Sequence, residues 1–266
     1  SPNYASELLT PLGSHGMSQC FVDRIRDFEG IINGCDYNDW NPEVDPHLPQ
    51  NYSSSDLSGK AVCKAKLQQD VGLAKSDKAL FGMVCRLTEQ KGFNILLPAL
   101  EQLLLHDVQL IIVGTGDPAI TGHLRSLEQH HPEKFKFINT YSDPPSHLVE
   151  ASSDFFLMPS LFEPCGLNQL YSLAYGTLPI VRGVGGLKDT VNDYDQDNDN
   201  GNGFMFYEPE PVDLVNLLRR VLLLYIERPD EITRLKTQAM QSHFYWSESV
   251  FQYERLYAKA LERYAL

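Results

Sequence analysis

The feature that most constrains this chain is a regular alternation of strand-length apolar runs with helix-period segments. The apolar runs lie at 79–85, 108–113, 135–140, 155–158, 178–181 and 203–206, with amphipathic stretches at 93–105, 119–130, 146–151 and 167–175 between them. The runs show no in-out alternation, so each predicts a strand buried on both faces. Strands of that kind, alternating with helices, imply a parallel sheet covered on both sides. Short connections keep the crossovers right-handed. The fold class expected is therefore α/β, with a Rossmann-like parallel sheet. The chain then turns helical, at 212–226, 232–242 and 248–264, while 36–57 is a polar, Pro- and Asn-rich loop.

Charge narrows the partners. With 22 Lys and Arg against 35 Asp and Glu, the net charge is −13, a field that repels nucleic-acid phosphates and anionic lipid. Both are discounted as bulk partners, although a local basic pocket for one small phosphate is still allowed. The 5 cysteines form no C-x-x-C pair, which points to a reducing compartment and away from zinc. No apolar run approaches the ~18 residues of a membrane span. The opening Ser1-Pro2-Asn3-Tyr4 has neither a Met nor a basic and apolar leader, so it reads as cut from something longer.

Ligands of open α/β sheets bind at the carboxyl ends of the strands, so the residues after each run carry the chemistry. After the first run, Arg86 and Lys91 flank a turn into a helix. A guanidinium fork and a compact ammonium suit a diphosphate, and the same pair is also readable as solvated loop charge. After the second run, Gly114-Thr115-Gly116-Asp117-Pro118-Ala119 fits a dinucleotide fingerprint. It belongs to the second unit, however, and reads equally as a turn with Asp117 as helix cap. After the fourth comes Pro159-Ser160-Leu161-Phe162-Glu163-Pro164-Cys165-Gly166-Leu167. There a carboxylate can meet sugar hydroxyls, and the Gly166 and Leu167 N–H groups can meet phosphate. Cys165 has no base in a recognisable motif and reads as pocket lining. After the fifth, Gly183, Gly185 and Gly186 permit a ligand to approach the backbone closely, or build a purely structural loop. The stretch 193–202 imitates a calcium loop, but Pro209 stands where its closing Glu is needed. No metal is expected.

These residues resemble the bacterial glycogen synthase and plant starch synthase family, retaining glucosyltransferases of the two-domain GT-B fold. The opening Ser1-Pro2-Asn3-Tyr4-Ala5-Ser6-Glu7 resembles the family's S-P-x-Y-A-x-E. Asn33-Gly34-Cys35-Asp36 and Trp40-Asn41-Pro42 resemble its N-G-I-D and W-N-P signatures. Arg86-Leu87 with Gln90-Lys91-Gly92 resembles R-L-x-x-Q-K-G. The run from Phe162 to Tyr171 is a close match, and Gly185-Gly186-Leu187 with Asp189-Thr190-Val191 resembles G-G-L-x-D-T-V.

The resemblance implies transfer of glucose from ADP-glucose to the non-reducing end of an α-1,4-glucan, with retention and with no cofactor or metal. It implies that Arg86 and Lys91 hold the diphosphate and that Glu163 engages the donor glucose. Cys165, Gly166, Leu167, Asn168, Gly185, Gly186 and Thr190 would line the sugar and phosphate site, and Tyr141 would sit beside the adenine. Asn168 and Val184 stand where the family usually has Thr, and Tyr171 holds the second place of the E-x7-E pattern found in related transferases. The family's K-x-G-G-L phosphate loop is absent. The expected division is 1–30 as the remnant of an amino-terminal domain, 31–246 as the nucleotide-sugar domain, and 247–266 as a helix that packs on the missing domain. The glucan acceptor would reach the site through that domain, and the fragment alone would be inactive. The setting implied is a bacterial cytoplasm, or a plastid for a plant chain. A regulatory nucleotide-binding module and a nicotinamide-dependent oxidoreductase are the alternatives.

Overall fold

Every apolar run becomes a strand in the computed structural model, which describes residues 1–14, 16–140, 142–195 and 201–264. The strands are β1 (Ala79–Val84), β2 (Val108–Val113), β3 (Phe135–Ile138), β4 (Phe155–Met158), β5 (Leu178–Arg182) and β6 (Phe204–Phe206). They form one 6-stranded sheet in the order β3-β2-β1-β4-β5-β6, parallel at every pairing. The helices, in chain order, are α1 (Pro2–Glu7), α2 (Ser18–Val22), α3 (Ser58–Val71), α4 (Phe93–Leu103), α5 (Pro118–His130) and α6 (Asp143–Ser152). They continue with α7 (Asn168–Ala174), α8 (Gly185–Thr190), α9 (Pro211–Glu227), α10 (Pro229–Met240) and α11 (Trp246–Tyr264).

The lack of alternation along the strands has a direct cause. Leu80 and Phe81 are adjacent, point to opposite faces of the sheet, and are both fully buried. Phe81, Leu110, Phe155 and Phe204 join the core under α4, α9 and α10. Leu80, Ile111, Phe156 and Val181 join the core on the other face, with Leu67 of α3, Val149 of α6 and Leu187 of α8. Proline marks the starts of α5, α9 and α10 at the first helical position, where its missing N–H leaves no hydrogen bond unmade.

The strand order creates the crevice. After β3 the chain returns to lay β4 beside β1, with Phe81 against Phe155 and Gly82 against Phe156. The loops leaving β1 and β4 therefore diverge from a switch point, where open α/β sheets bind ligands. Those two loops are also stitched together. Leu161 N donates to Gln90 O (2.8 Å) and Gln90 Nε2 donates to Phe162 O (2.9 Å). Gly92 sits at φ +75°, and a Cβ there would stand 1.9 Å from Pro159 O, so glycine is required on both counts.

Candidate active site

Over the switch point, the β1 loop contributes a cation and the β4 loop an anion. Lys91 Nζ donates to Glu163 Oε2 at 2.6 Å, with the side chains 18% and 7% exposed. Ser160 Oγ donates to the same oxygen at 3.1 Å. A carboxylate this far from water needs such partners. The Glu163 loop is braced from behind by Arg182, whose guanidinium donates to Ser160 O (2.9 Å) and to Leu161 O.

Beside this pair lies a cleft of about 430 Å³, within the size range of small-molecule sites. Its β1 wall carries Cys85, Arg86 and Lys91, and its α7 wall Leu167, Asn168 and Tyr171. Asn168 Nδ2 donates to Val84 O at 2.6 Å, which ties α7 to the end of β1. Burial pushes the Cys85 thiol up to about 12. The Tyr171 hydroxyl is likewise pushed up to about 12 by burial, so neither group ionises near neutrality.

Trp40 forms a third wall by stacking. Its ring lies 3.8 Å from Tyr171 at 4° and 3.9 Å from His147 at 12°. His147 is fixed in turn: its Nδ1 lies 2.9 Å from Asp45 Oδ2, which also accepts from Tyr175 OH at 2.5 Å. Trp40 of the Trp40-Asn41-Pro42 motif thus lines the cleft while stacked on the buried Asp45-His147-Tyr175 cluster.

The residues singled out in the sequence separate into three groups. Arg86, Lys91, Leu167 and Asn168 come together on the cleft, and Glu163 joins them through Lys91. Cys165 and Gly166 lie in the loop just behind. Cys165 Sγ accepts from Asn33 N at 3.4 Å, and burial pushes its thiol up, which suits packing rather than nucleophilic attack. Gly166 takes φ +74°. Gly185, Gly186 and Thr190 do not line the cleft walls. A Cβ on Gly185 would stand 1.8 Å from Glu163 O, and one on Gly186 1.9 Å from Cys165 O. The close approach these glycines permit is to the Glu163 loop, and Gly186 N donates to Glu163 O at 2.9 Å. Thr190 is buried and donates to Gly186 O at 2.6 Å. Tyr141 and part of the calcium-loop imitation lie outside the described residues.

Sequence reading named Glu7 only as the last residue of the opening motif, with no site role, and missed Glu150. Glu7 Oε1 accepts from Gly185 N at 2.8 Å, which lays α1 against α8 beside the site. Glu150 lines the cleft from α6. Each is a carboxylate on a helix outside any strand-end loop, so no strand-end signal marks it. The glycine turn at 114–119 follows β2 and not β1, and Asp117 caps α5 by accepting from Ala119 N (2.7 Å) and Ile120 N (3.3 Å). That removes the structural basis for a dinucleotide fingerprint.

A parallel sheet of this order, with a cation pair and a buried glutamate over its switch point, defines the Rossmann-like carboxy-terminal domain of a GT-B glycosyltransferase. The family model for glycosyl transferases group 1 matches residues 65–238. The chain belongs to that family. It is 55% identical over 264 residues to a glycogen synthase of Aeromonas hydrophila, covering 99% of this chain and 54% of that protein. It is 55% identical over 263 residues to a glycogen synthase of Vibrio cholerae, covering 98% of this chain and 54% of that protein. Among solved structures, the catalytic domain of starch synthase IV from Arabidopsis thaliana, bound to ADP and acarbose, superposes with a TM-score of 0.93 at 34% identity. The match covers 98% of this chain and 55% of that one. The chain thus spans about half the length of the curated relatives it matches.

Proposed function

We propose that this chain is the donor-binding half of a retaining glucosyltransferase that moves glucose from ADP-glucose to the non-reducing end of an α-1,4-glucan. The observation that carries the proposal is the Lys91–Glu163 pair at 2.6 Å beside Arg86, on a cleft over the β1/β4 switch point. The family membership and the ADP held by the starch synthase relative support it. In this reading, Arg86 and Lys91 bind the diphosphate and neutralise the charge that grows on it as the glycosyl bond breaks. They stand in position before the reaction, so no reorganisation is needed when that charge develops. Glu163, already paired with Lys91, accepts hydrogen bonds from glucose hydroxyls and orients the sugar. Leu167 and Asn168 border the phosphates. Gly185, Gly186 and Thr190 act one layer back, by holding the Glu163 loop. The acceptor glucan enters against the half of the enzyme that lies beyond the matched region of the longer relatives. Among the described residues no helix is long and apolar enough to cross a membrane, and the free cysteines support a cytoplasmic setting.

Titration of the chain with ADP tests the donor half. Arg86→Ala and Lys91→Ala should each weaken ADP by about 10- to 150-fold, the loss of one charge-assisted hydrogen bond of ~1.5–3 kcal/mol. An affinity unchanged by both substitutions would overturn the assignment. Glucose incorporation from ADP-glucose into glycogen tests the other part: the 266-residue chain should bind ADP but transfer little glucose, and robust turnover would contradict the need for a second half.

A further inference from the structure

The cleft holds one buried group that the phosphate and glucose contacts leave unused. Glu150 lies on α6, one helical turn beyond Ser146 on the same face, and both line the cleft. α6 runs from the carboxyl end of β3 toward the amino end of β4, so Glu150 is a turn deeper than Ser146. The residue is 1% exposed. Its Oε2 accepts from Ser172 Oγ at 2.7 Å, whereas its Oε1 is shut from solvent and has no partner. The neighbouring cation does not supply one. Lys60 Nζ donates instead to Thr177 Oγ1 (2.6 Å) and to the Ala151, Tyr175 and Glu150 carbonyls (3.0, 3.1 and 3.4 Å). Buried polar atoms are nearly always satisfied, so an orphan on a residue that lines a cleft points to what the cleft binds.

We propose that Glu150 is a specificity-determining residue whose free oxygen hydrogen-bonds a hydroxyl of the pentose of the bound nucleotide. The inference rests on the nucleotide-binding reading above. Arg86 and Lys91 at the end of β1 keep the phosphates at the rim, which leaves the uncharged part of the nucleotide to reach toward α6 and α7. A base is the poorer fit to this end, because both faces of Trp40 are already covered by His147 and Tyr171. A pentose hydroxyl both donates and accepts, and so it matches a carboxyl in either protonation state. Burial pushes the Glu150 carboxyl well above the usual range, which favours its uncharged form near the diphosphate.

Calorimetric titrations of the chain with ADP, 2′-deoxy-ADP and 3′-deoxy-ADP test the proposal. In the native chain at least one deoxy analogue should bind about fivefold or more weakly than ADP, as expected for one lost hydrogen bond. In Glu150→Ala, checked for folding by its melting transition, that penalty should vanish, with ADP falling to the level of the analogue. Glu150→Gln keeps the shape and the hydrogen-bonding capacity and should restore most of the discrimination. Arg86→Ala should weaken ADP and both analogues alike and leave their ratio intact. If the native chain binds ADP and both deoxy analogues equally, the proposal is overturned without recourse to any variant. A penalty that survives in Glu150→Ala overturns it equally, while the nucleotide reading stands. A native chain that binds no ADP overturns the nucleotide reading, and this inference with it.

Discussion

At the scale of single residues, the site depends on where side chains are absent. Gly186 lies against Cys165 O, where a Cβ would be 1.9 Å away, and backbone at that distance cannot give way as the end of a flexible side chain can. Gly186→Ala should therefore displace the Glu163 loop and destabilise the chain by about 2–3 kcal/mol, with a matching loss of ADP affinity. Gly122, inside α5, is the internal control, since a Cβ there meets nothing within 4 Å. Gly122→Ala should raise stability by about 0.5–1 kcal/mol through helix propensity. Urea denaturation of the two variants measures both effects, and equal shifts would refute the crowding at Gly186. The contrast also shows what residue types alone conveyed. Arg86, Lys91 and Glu163 stood out as charges at strand ends, a pattern that solvated loops share, and only folding pairs Lys91 with Glu163 beside the cleft. Gly185 and Gly186 were legible as points of close approach, but sequence cannot say whether a ligand or another loop fills the space a side chain leaves. Glu150 was invisible because its meaning comes from Ser172 and a cleft that exist only after folding.

Among the elements, the strands and the later helices were readable because hydrophobic periodicity records burial directly. α3 was not, and its buried side explains why: Gly59, Lys60, Cys63, Leu67 and Gln68 face inward, a set too polar to show an apolar stripe. What holds α3 in place is polar. Asp154, at the start of β4, binds Lys64 of α3 at 2.7 Å and Lys236 of α10 at 2.6 Å, and accepts from Leu80 N of β1 at 3.0 Å. All three charged side chains are nearly buried. Burial alone would push the Asp154 carboxyl up, but Lys236 and Lys64 prevail and hold it well below the usual range. A carboxyl with a lowered folded pKa stabilises the fold fully above its unfolded value, near 3.9, and loses that contribution as pH falls toward the folded pKa. Thermal melts should therefore show a stability loss below about pH 4 that is absent from Asp154→Asn. That variant should itself be less stable by about 3–5 kcal/mol at pH 7, because two buried ammonium groups lose their counter-charge. A variant as acid-sensitive as the native chain would assign the pH dependence elsewhere.

Over the whole molecule, apolar side chains left in water include scattered ones such as Val44, Leu105, Val212 and Ile226, but they gather most in two segments. Leu12 is 91% exposed, Leu261 72%, Tyr257 62% and Phe251 60%, and Met17, Val22, Ile25 and Val250 are also exposed. All lie within residues 1–30, read from the sequence as the remnant of an amino-terminal domain, or on α11, which carries most of the 247–266 segment read as packing on that domain. These segments touch each other as well: Lys259 Nζ meets Glu29 at 3.5 Å, and Arg263 Nη1 donates to Arg26 O at 3.3 Å. Because Phe251 is already in water, removing its ring should change little in this chain. Phe251→Ser should cost less than about 0.5 kcal/mol, the range of ordinary surface substitutions. Phe93→Ser, at a position 2% exposed in the main core, should cost about 3–5 kcal/mol. If α11 is the face against which the other half of the longer relatives packs, the same Phe251 change placed in a polypeptide of their full length should become costly. Melting temperatures of Phe251→Ser in the two lengths decide this. A loss confined to the long form supports the docking role, and equal tolerance in both would leave the exposed face of α11 with no partner in that half.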